Sequence, residues 1–371
     1  MLSLLALLFA YDAIAGERET GTMRLTMSHP VRRGSILGAK YVGAMTCLIL
    51  PLIMSFIVAL IWIVSMGSIV LSGNDFLRIA GILLTSIIYL SAIYLIGLLI
   101  SAWAHRTATA LMLSLFVWVV LVLVYPSLSV SVVDQLIKPQ RSLINSSYEA
   151  MWEIRRAANK EAMEYLQNDA IAGESEHFNV DGSRGGLNVG LSNQRTLMRI
   201  DFRAYDWQFI SPESEKYVPH VIRYHQFLAP LHIDAAEKMG LIRLPALDQI
   251  RFRRARIAQN LLRFSPAAMY NLATQAWLGT DLDGVVDFFE AARHYRRTLI
   301  NYFYDEDAFS SRQWFASDKG AINLDDLPGF AYQRTSLWVS VSRALPDLQL
   351  LILLNVALFL ATFAIFVRQE I

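Results

Sequence analysis

Four long stretches of the chain contain no charged residue and are dominated by Leu, Ile, Val and Phe. They cover residues 41–74, 79–105, 107–133 and 348–367. A helix needs about 20 apolar residues to cross a bilayer, because the hydrocarbon layer is about 30 Å thick and the helix rises about 1.5 Å per residue. The pattern therefore predicts three full spans at about 43–66, 79–103 and 108–132, and a last transmembrane helix with a short tail within 346–371.

A fifth apolar block, residues 1–11, is too short to cross a membrane alone, since Asp12 follows it directly. It lacks the basic start and the small-residue cleavage site of a secretory signal. We interpret it as the cytoplasmic half of a spanning helix whose beginning is missing from this sequence, or of one that begins abruptly inside the bilayer.

Basic residues in the short connections predict the orientation of the spans. The segment 12–40 contains Arg18, Arg24, Arg32, Arg33 and Lys40, whereas the connection 72–77 contains no Lys or Arg. Because Lys and Arg are enriched in short cytoplasmic loops, we expect segment 12–40 to be cytoplasmic. Residues 134–345 then lie on the other side, in the periplasm or extracellular space.

Residues 134–345 differ in composition from the apolar runs. They carry 25 basic and 26 acidic residues, with helical patterns at 146–170, 212–239, 245–264 and 281–304. The glycine-rich stretch 172–193 is expected to be a flexible loop. The predicted fold class is all-α: a polytopic helical membrane protein, with a transmembrane region (1–133), a mainly helical extracytoplasmic domain (134–345) and a last span with a cytoplasmic tail (346–371).

The composition argues against several classes of function. Only 18% of the residues are charged, below the roughly 25% of soluble domains, and the net charge of +1 predicts no nucleic-acid partner. The spacing of His220, His225 and His232 does not suit a helical metal site, and no catalytic or phosphate-loop motif is present. We therefore expect no enzyme activity, no metal and no cofactor, and any nucleotide energy must come from another polypeptide.

The polar stretch AGERETGTMRLTMSHPVRR, residues 15–33, separates two apolar blocks. Pro30 disfavours helix at the residue before it, so we expect a first helix that ends near Ser28 and a second that begins near Gly34. Met23, Leu25 and Met27 would form a small apolar ridge on the first helix. The stretch could dock on a soluble partner, or it could be a connector held at the lipid headgroups by its arginines.

Residues 9–44 resemble the cytoplasmic signature of ABC-2 type transporter permeases. The matching positions are Asp12, Ile14, Glu17, Gly21, Thr22, Pro30, Arg33, Ile36, Leu37 and Lys40. Residues 263–299 are similar to a second segment of permeases that carry a large extracytoplasmic domain before the last span. The matches there are Ser265, Pro266, Gly279, Thr280, Asp281, Phe289, Tyr295 and Arg296. The family normally has six spans, so the resemblance implies a further N-terminal span.

The resemblance implies a permease subunit in the bacterial inner membrane that moves a substrate using ATP hydrolysed by cytoplasmic ATPase subunits. It also implies a second permease copy or a paralogue as a partner, within membrane lipid. Segment 12–40 would be the coupling element that contacts the ATPase, through Glu17, Gly21, Thr22, Leu25, Pro30, Arg33 and Lys40. Gly21 would permit close backbone approach, Glu17 and Arg33 would pair with charges on the partner, and Lys40 would pass movement to the next span.

Two other classes of function stay open at this point. A membrane-anchored interaction or sensory protein would bind a ligand or envelope partner through residues 134–345 without transport. A membrane-embedded enzyme is disfavoured, because the apolar runs lack the charged or metal-binding residues that such chemistry needs.

Overall fold

The computed structural model describes residues 2–23, 33–67, 71–137, 141–168, 178–179, 185–191, 198–204, 218–305 and 325–368. Contacts divide the chain into two compact units. The first contains Met1–Lys138, Arg254–Phe288 and Gln333–Ile371, and the second contains Pro139–Arg253 and Phe289–Tyr332. The predicted domain limits at 134 and 345 stay a prediction; in this division the stretch Arg254–Phe288 belongs with the apolar helices.

The first unit is helical. Its helices are α1 (Leu2–Ala10), α2 (Ala15–Glu19), α3 (Arg33–Ser65), α4 (Gly73–Trp103), α5 (Thr107–Leu136), α8 (Pro266–Leu278), the start of α9 (Leu282–Asp305) and α10 (Leu337–Arg368). Within the described residues, α3, α4, α5 and α10 are long and apolar enough to cross a membrane. The prediction of an all-α polytopic membrane protein is confirmed.

Helix α4 forms the centre of this unit. Most of its length is buried, whereas α3, α5 and α10 expose large apolar side chains of the kind that lipid covers. Small residues let neighbours approach it closely. A Cβ added at Gly97 would lie 2.6 Å from Cβ of Ala10 in α1, and one at Gly81 would lie 2.6 Å from the ring of Trp277 in α8.

Helix α5 contains a wide turn. Residues Val119–Val124 are π-helical, between α-helical segments on either side. The hydroxyl of Ser265 donates to the carbonyl oxygen of Leu121 in this turn at 2.6 Å. Just beyond it, the Tyr125 hydroxyl donates to Leu261 O, also at 2.6 Å. The π-helical turn is therefore where α5 is joined to the polar chain before α8.

Three residues between Ser265 and Asp281 cap the ends of α8 and the start of α9. The Ser265 side chain accepts from Ala268 N at the start of α8, and Gly279 ends this helix with a φ of 69°. Asp281 then accepts from Gly284 N at 3.2 Å at the start of α9. Burial raises the pKa of Asp281, although Arg343 lies 3.7 Å away and opposes the effect. These residues therefore have an architectural role, fixing a tight turn between two helices.

The second unit combines helices with a small sheet. It contains α6 (Arg141–Asn168), most of α7 (Val218–Leu262) and the rest of α9, with strands β1 (Phe178–Asn179), β2 (Gly185–Leu191) and β3 (Met198–Ala204). The strands are antiparallel in the order β1-β2-β3, with Val189 opposite Ile200. The sheet is a minor component, so this unit remains mainly helical.

Two expectations for this unit are wrong. Stretch 172–193 is not simply a loop, because β1 and β2 lie in it; Leu187, Val189 and Leu191 alternate with Asn188 and Gly190, a strand period that the many glycines obscured. The separate helices expected at 212–239 and 245–264 are one helix, α7.

Helix α7 continues through two prolines, at positions 230 and 245. Ion pairs with α9 hold it on both sides of the second proline. Glu237 lies 2.8 Å from Arg296, and Asp248 lies 2.7 Å from Arg293. Contacts between helices thus override the local preference for a break.

Candidate functional site

The polar segment before α3 begins with the short helix α2 and a turn. The hydroxyl of Thr20 donates to Gly16 O at 2.9 Å and lies 3.0 Å from the hydroxyl of Thr22. Gly21 has a φ of 76°, a conformation that glycine adopts without steric strain. Helical backbone resumes at Thr22. The chain thus turns at Gly21 before the helical backbone continues, and the predicted end of the first helix near Ser28 lies outside the described residues.

Hydrogen bonds between side chains and backbone groups fix this segment to the end of α4. The amides of Ile14 and Ala15, both fully buried, donate to the hydroxyl of Ser101 at 3.1 and 3.0 Å. The guanidinium of Arg18 donates to the carbonyl oxygens of Ala104 at 3.2 Å and Ala102 at 3.3 Å. Partial burial lowers the pKa of Arg18, which nevertheless keeps its charge.

A second attachment joins α2 to the start of α5. The carboxylate of Glu19 accepts from Thr107 N at 3.0 Å and from the Thr107 hydroxyl at 2.7 Å. These two bonds lower the pKa of Glu19. An orphan amide in the first turn of α5 is thus satisfied by a residue outside that helix. Sequence reasoning did not find this role of Glu19, because the partner lies 88 positions away.

Lys40 connects the segment to α3. Its Nζ lies 2.7 Å from Oε1 of Glu17 and donates to Ala13 O at 2.6 Å. The carbonyl oxygen of Lys40 accepts from the Tyr94 hydroxyl in α4 at 3.3 Å. The side chain and the backbone of Lys40 thus join three elements, and Glu17 and Lys40, both singled out from the sequence, are brought together.

The other predicted site residues are distributed differently. Arg33 donates to Val367 O, near the end of α10, at 2.7 Å. Gly21 and Thr22 are exposed, whereas Met23 is only 2% exposed; Met27, another residue of the predicted apolar ridge, lies outside the described residues. Leu25 and Pro30 lie outside the described residues. The pairing of Glu17 and Arg33 with charges on a partner stays a prediction; the structure gives both side chains contacts within the chain.

Comparison with known proteins gives the family. The sequence model described as ABC-2 family transporter protein matches residues 1–370. The chain belongs to this family. It is thereby a member of the ABC-2 transporter permeases and, with its four long apolar helices, a multi-pass membrane protein. The residues attached to α4 and α5 lie in the part of this ABC-2 protein that separates the first two apolar blocks.

Two relatives carry the name "Probable ABC transporter permease protein NosY". The protein of Stutzerimonas stutzeri is 33% identical over 125 residues, which are 34% of this chain and 45% of the relative. That of Pseudomonas aeruginosa is 43% identical over 56 residues, 15% of this chain and 20% of the relative. In both comparisons the ABC-2 chain spans less than half of the relative's length. No solved structure matches.

Proposed function

We propose that this ABC-2 protein is the permease subunit of an ABC transporter in a bacterial inner membrane. ATP would be hydrolysed by separate cytoplasmic ATPase subunits, and the permease would act with a second copy or a paralogue. Segment 12–40 would face the cytoplasm and residues 134–345 the periplasm or extracellular space. Family membership and the permease names of the two relatives support this proposal.

The observation that carries the proposal is an exposed turn whose preceding residues are bonded to the ends of two apolar helices. Thr20, Gly21 and Thr22 are all exposed. The preceding residues are bonded to Ser101 at the end of α4 and to Thr107 at the start of α5. A protein that pressed on this turn would therefore act directly on the apolar helices. A mere connector at the headgroups would not require so many attachments.

The seven residues taken from the family resemblance divide into two proposed roles. Gly21 and Thr22 form the exposed turn and would touch the ATPase, together with Leu25 and Pro30 farther along the segment. Glu17 and Lys40 would transmit movement to α3 through their ion pair, and Arg33 would link the start of α3 to α10. Proximity of Lys40 to Ala13 O supports this division.

The test is recovery of a nucleotide-binding partner with the tagged full chain, in mild detergent, from its own host. Labelling the recovered complex with azido-ATP identifies an ATP-binding subunit. Thr22→Arg, on the exposed turn, should reduce its recovery about tenfold or more, since a large charged side chain in a packed contact costs more than about 1.4 kcal/mol. Asn301→Arg is the matched control, an exposed polar residue in α9.

The result decides between the open classes. Recovery of a labelled subunit with wild type and Asn301→Arg, but not with Thr22→Arg, supports a permease coupled through the turn. A membrane-anchored interaction or sensory protein predicts stable chain without any labelled subunit. Equal recovery with both variants would contradict the turn as the contact.

A further inference from the structure

A cavity of about 630 Å³ lies at the end of the first unit opposite the α2 segment along α4. It is lined by the end of α3, the start of α4, the end of α8 and residues 334–337. Its volume is within the range of about 300–1,000 Å³ typical of small-molecule sites. All lining residues belong to the first unit.

Arg78 is a buried charge in the wall of this cavity. It is 5% exposed, and its Nη2 donates to Thr335 O. Within the described part of the chain, Nε and Nη1 have no hydrogen-bond partner, and neither has the buried hydroxyl oxygen of Thr335. Buried charges are normally paired, because an unpaired one loses hydration without compensation. Three donor groups in one cavity wall are thus available to an acceptor.

The acidic residue of the cavity is already engaged. Asp75 accepts from the amide and hydroxyl of Ser72 through Oδ2, at 3.0 and 2.8 Å, in a capping box at the start of α4. Its Oδ1 lies 3.2 Å from Nη1 of Arg334. Asp75 is thus shared by two guanidinium groups, that of Arg334 in direct contact and that of Arg78 nearby, so the two arginines leave one positive charge unbalanced. The cavity attracts an anion.

The remaining wall is apolar. Ile63, Leu71, Leu278 and Leu337 line it beside Arg78. A small inorganic anion would use the charge but leave these side chains uncovered. An amphiphile would place its anionic group on the arginine and its hydrocarbon on the leucines and isoleucine.

We infer that this cavity binds a phosphate group, held by the guanidinium of Arg78 and the hydroxyl of Thr335, and that the phosphate belongs to an anionic phospholipid. Arg presents several N–H donors in a planar fork that matches phosphate oxygens, and charge-assisted bonds of this kind are strong. The site goes beyond the proposed transport function, because nothing in its binding step requires an ATPase. Only the identity of the membrane leaflet that supplies the phospholipid depends on the proposed orientation of the chain.

The experiment uses the purified full chain in detergent and native mass spectrometry with added dioleoylphosphatidylglycerol or dioleoylphosphatidylcholine. Wild type should retain the anionic lipid in preference to the zwitterionic one. Arg78→Gln should lower retention of the anionic lipid about tenfold, the effect of removing one charge-assisted contact. The matched control, Arg106→Gln, removes an exposed arginine outside the cavity and should leave retention unchanged.

Arg78 also donates to Thr335 O, so Arg78→Gln could lower lipid retention by disturbing the fold. A second variant distinguishes this effect from loss of the binding site. Leu278→Trp keeps every charge and fills the cavity, so it should lower lipid retention in the same way. Inorganic phosphate supplies the other source of the anion; if it displaced the lipid only from wild type, phosphate recognition would be supported. Equal retention of both lipids, or unchanged retention in both cavity variants, would overturn the inference. Recovery of the ATPase is measured separately, so either proposal can fail alone.

Discussion

Nζ of Lys40 lies 2.7 Å from Oε1 of Glu17, which joins the start of α3 to the short helix α2. Both side chains are partly shielded from solvent, with 18% and 36% of their surfaces exposed. We expect a double-mutant cycle of Glu17→Gln and Lys40→Met to give a coupling free energy of about 1 kcal/mol. The measurement is the free energy of unfolding of the full chain in mixed micelles.

The control for this cycle is a solvated pair in the second unit. Lys160 and Glu164 lie 3.7 Å apart, with 79% and 60% of their side chains exposed. Their coupling should be below about 0.5 kcal/mol. A Glu17–Lys40 coupling no larger than that of the control would mean that the contact does not hold the segment to α3.

The close contact of Gly81 with Trp277 predicts a steric effect. Gly81→Ala would place a methyl group 2.6 Å from the indole ring, and the Trp277 Nε1 is already bonded to the Thr85 hydroxyl at 3.2 Å. We expect the free energy of unfolding to fall by about 1–3 kcal/mol, as in overpacked cores. Gly43→Ala is the matched control, since a Cβ there meets nothing within 4 Å. Comparable losses at both positions would argue against the α4–α8 contact.

The ion pair between Arg263 and Asp347 contains the most buried charged side chain among the ion pairs described in the first unit. Asp347 has 4% of its side chain exposed, and its carboxylate oxygens lie 2.7 Å from Nε and 3.4 Å from Nη2 of Arg263. Asp347→Ala should lower the free energy of unfolding by about 3 kcal/mol, because it leaves a partly buried guanidinium uncompensated. Thermal unfolding monitored by circular dichroism measures the change.

An exposed pair provides the comparison for that substitution. Arg256 and Asp283 lie 3.3 Å apart with 66% and 49% of their side chains exposed. Asp283→Ala should change the free energy of unfolding by less than about 1 kcal/mol. If Asp347→Ala and Asp283→Ala unfolded at the same temperature, burial of Asp347 would not explain the loss of stability.

The bonds of Glu19 to Thr107 predict a pH effect. Because they lower the folded pKa of Glu19, the ionised carboxylate stabilises the attachment above the ordinary glutamate value of 4.5, and this contribution is lost as the pH falls through the lower folded pKa. Hydrogen exchange in a peptide containing Thr107 should accelerate over that acidic window relative to the Glu19→Gln chain. A Glu19→Gln profile parallel to wild type at every pH would contradict the effect.

The apolar helices could be predicted from sequence because lipid imposes a strong and local requirement. A run such as 79–105 must avoid charge over its whole length, and this is visible without any knowledge of its neighbours. The break expected in α7 failed for the opposite reason. Pro245 has a local preference against helix, but Glu237 and Asp248 pair with distant arginines that sequence spacing does not reveal.

In the candidate site, too, some residues could be predicted from the sequence and others depend on partners that are distant in the chain. Glu17, Gly21 and Lys40 could be selected because a known family pattern contains them. Ser101 could not, since one serine in an apolar run is common and its two amide partners lie more than 80 positions away. Arg78 sits at the margin of an apolar run, where a charged residue attracts no notice until its burial is seen.

The six residues of the π-helical turn Val119–Val124 are all Val or Leu, so their order looks unimportant. The wide turn nevertheless makes the number of residues in this run matter. Deleting one residue there would leave a regular helix in register on both sides, because six π-helical residues and five α-helical residues rotate the chain by about the same angle. The contacts made inside the turn would still be lost, since Leu121 O would then accept from an amide of the regular helix in place of the Ser265 hydroxyl. Substitutions of one branched aliphatic residue for another should be tolerated in this turn, whereas a single deletion should remove the bond from Ser265 and leave the far part of α5 on the same face.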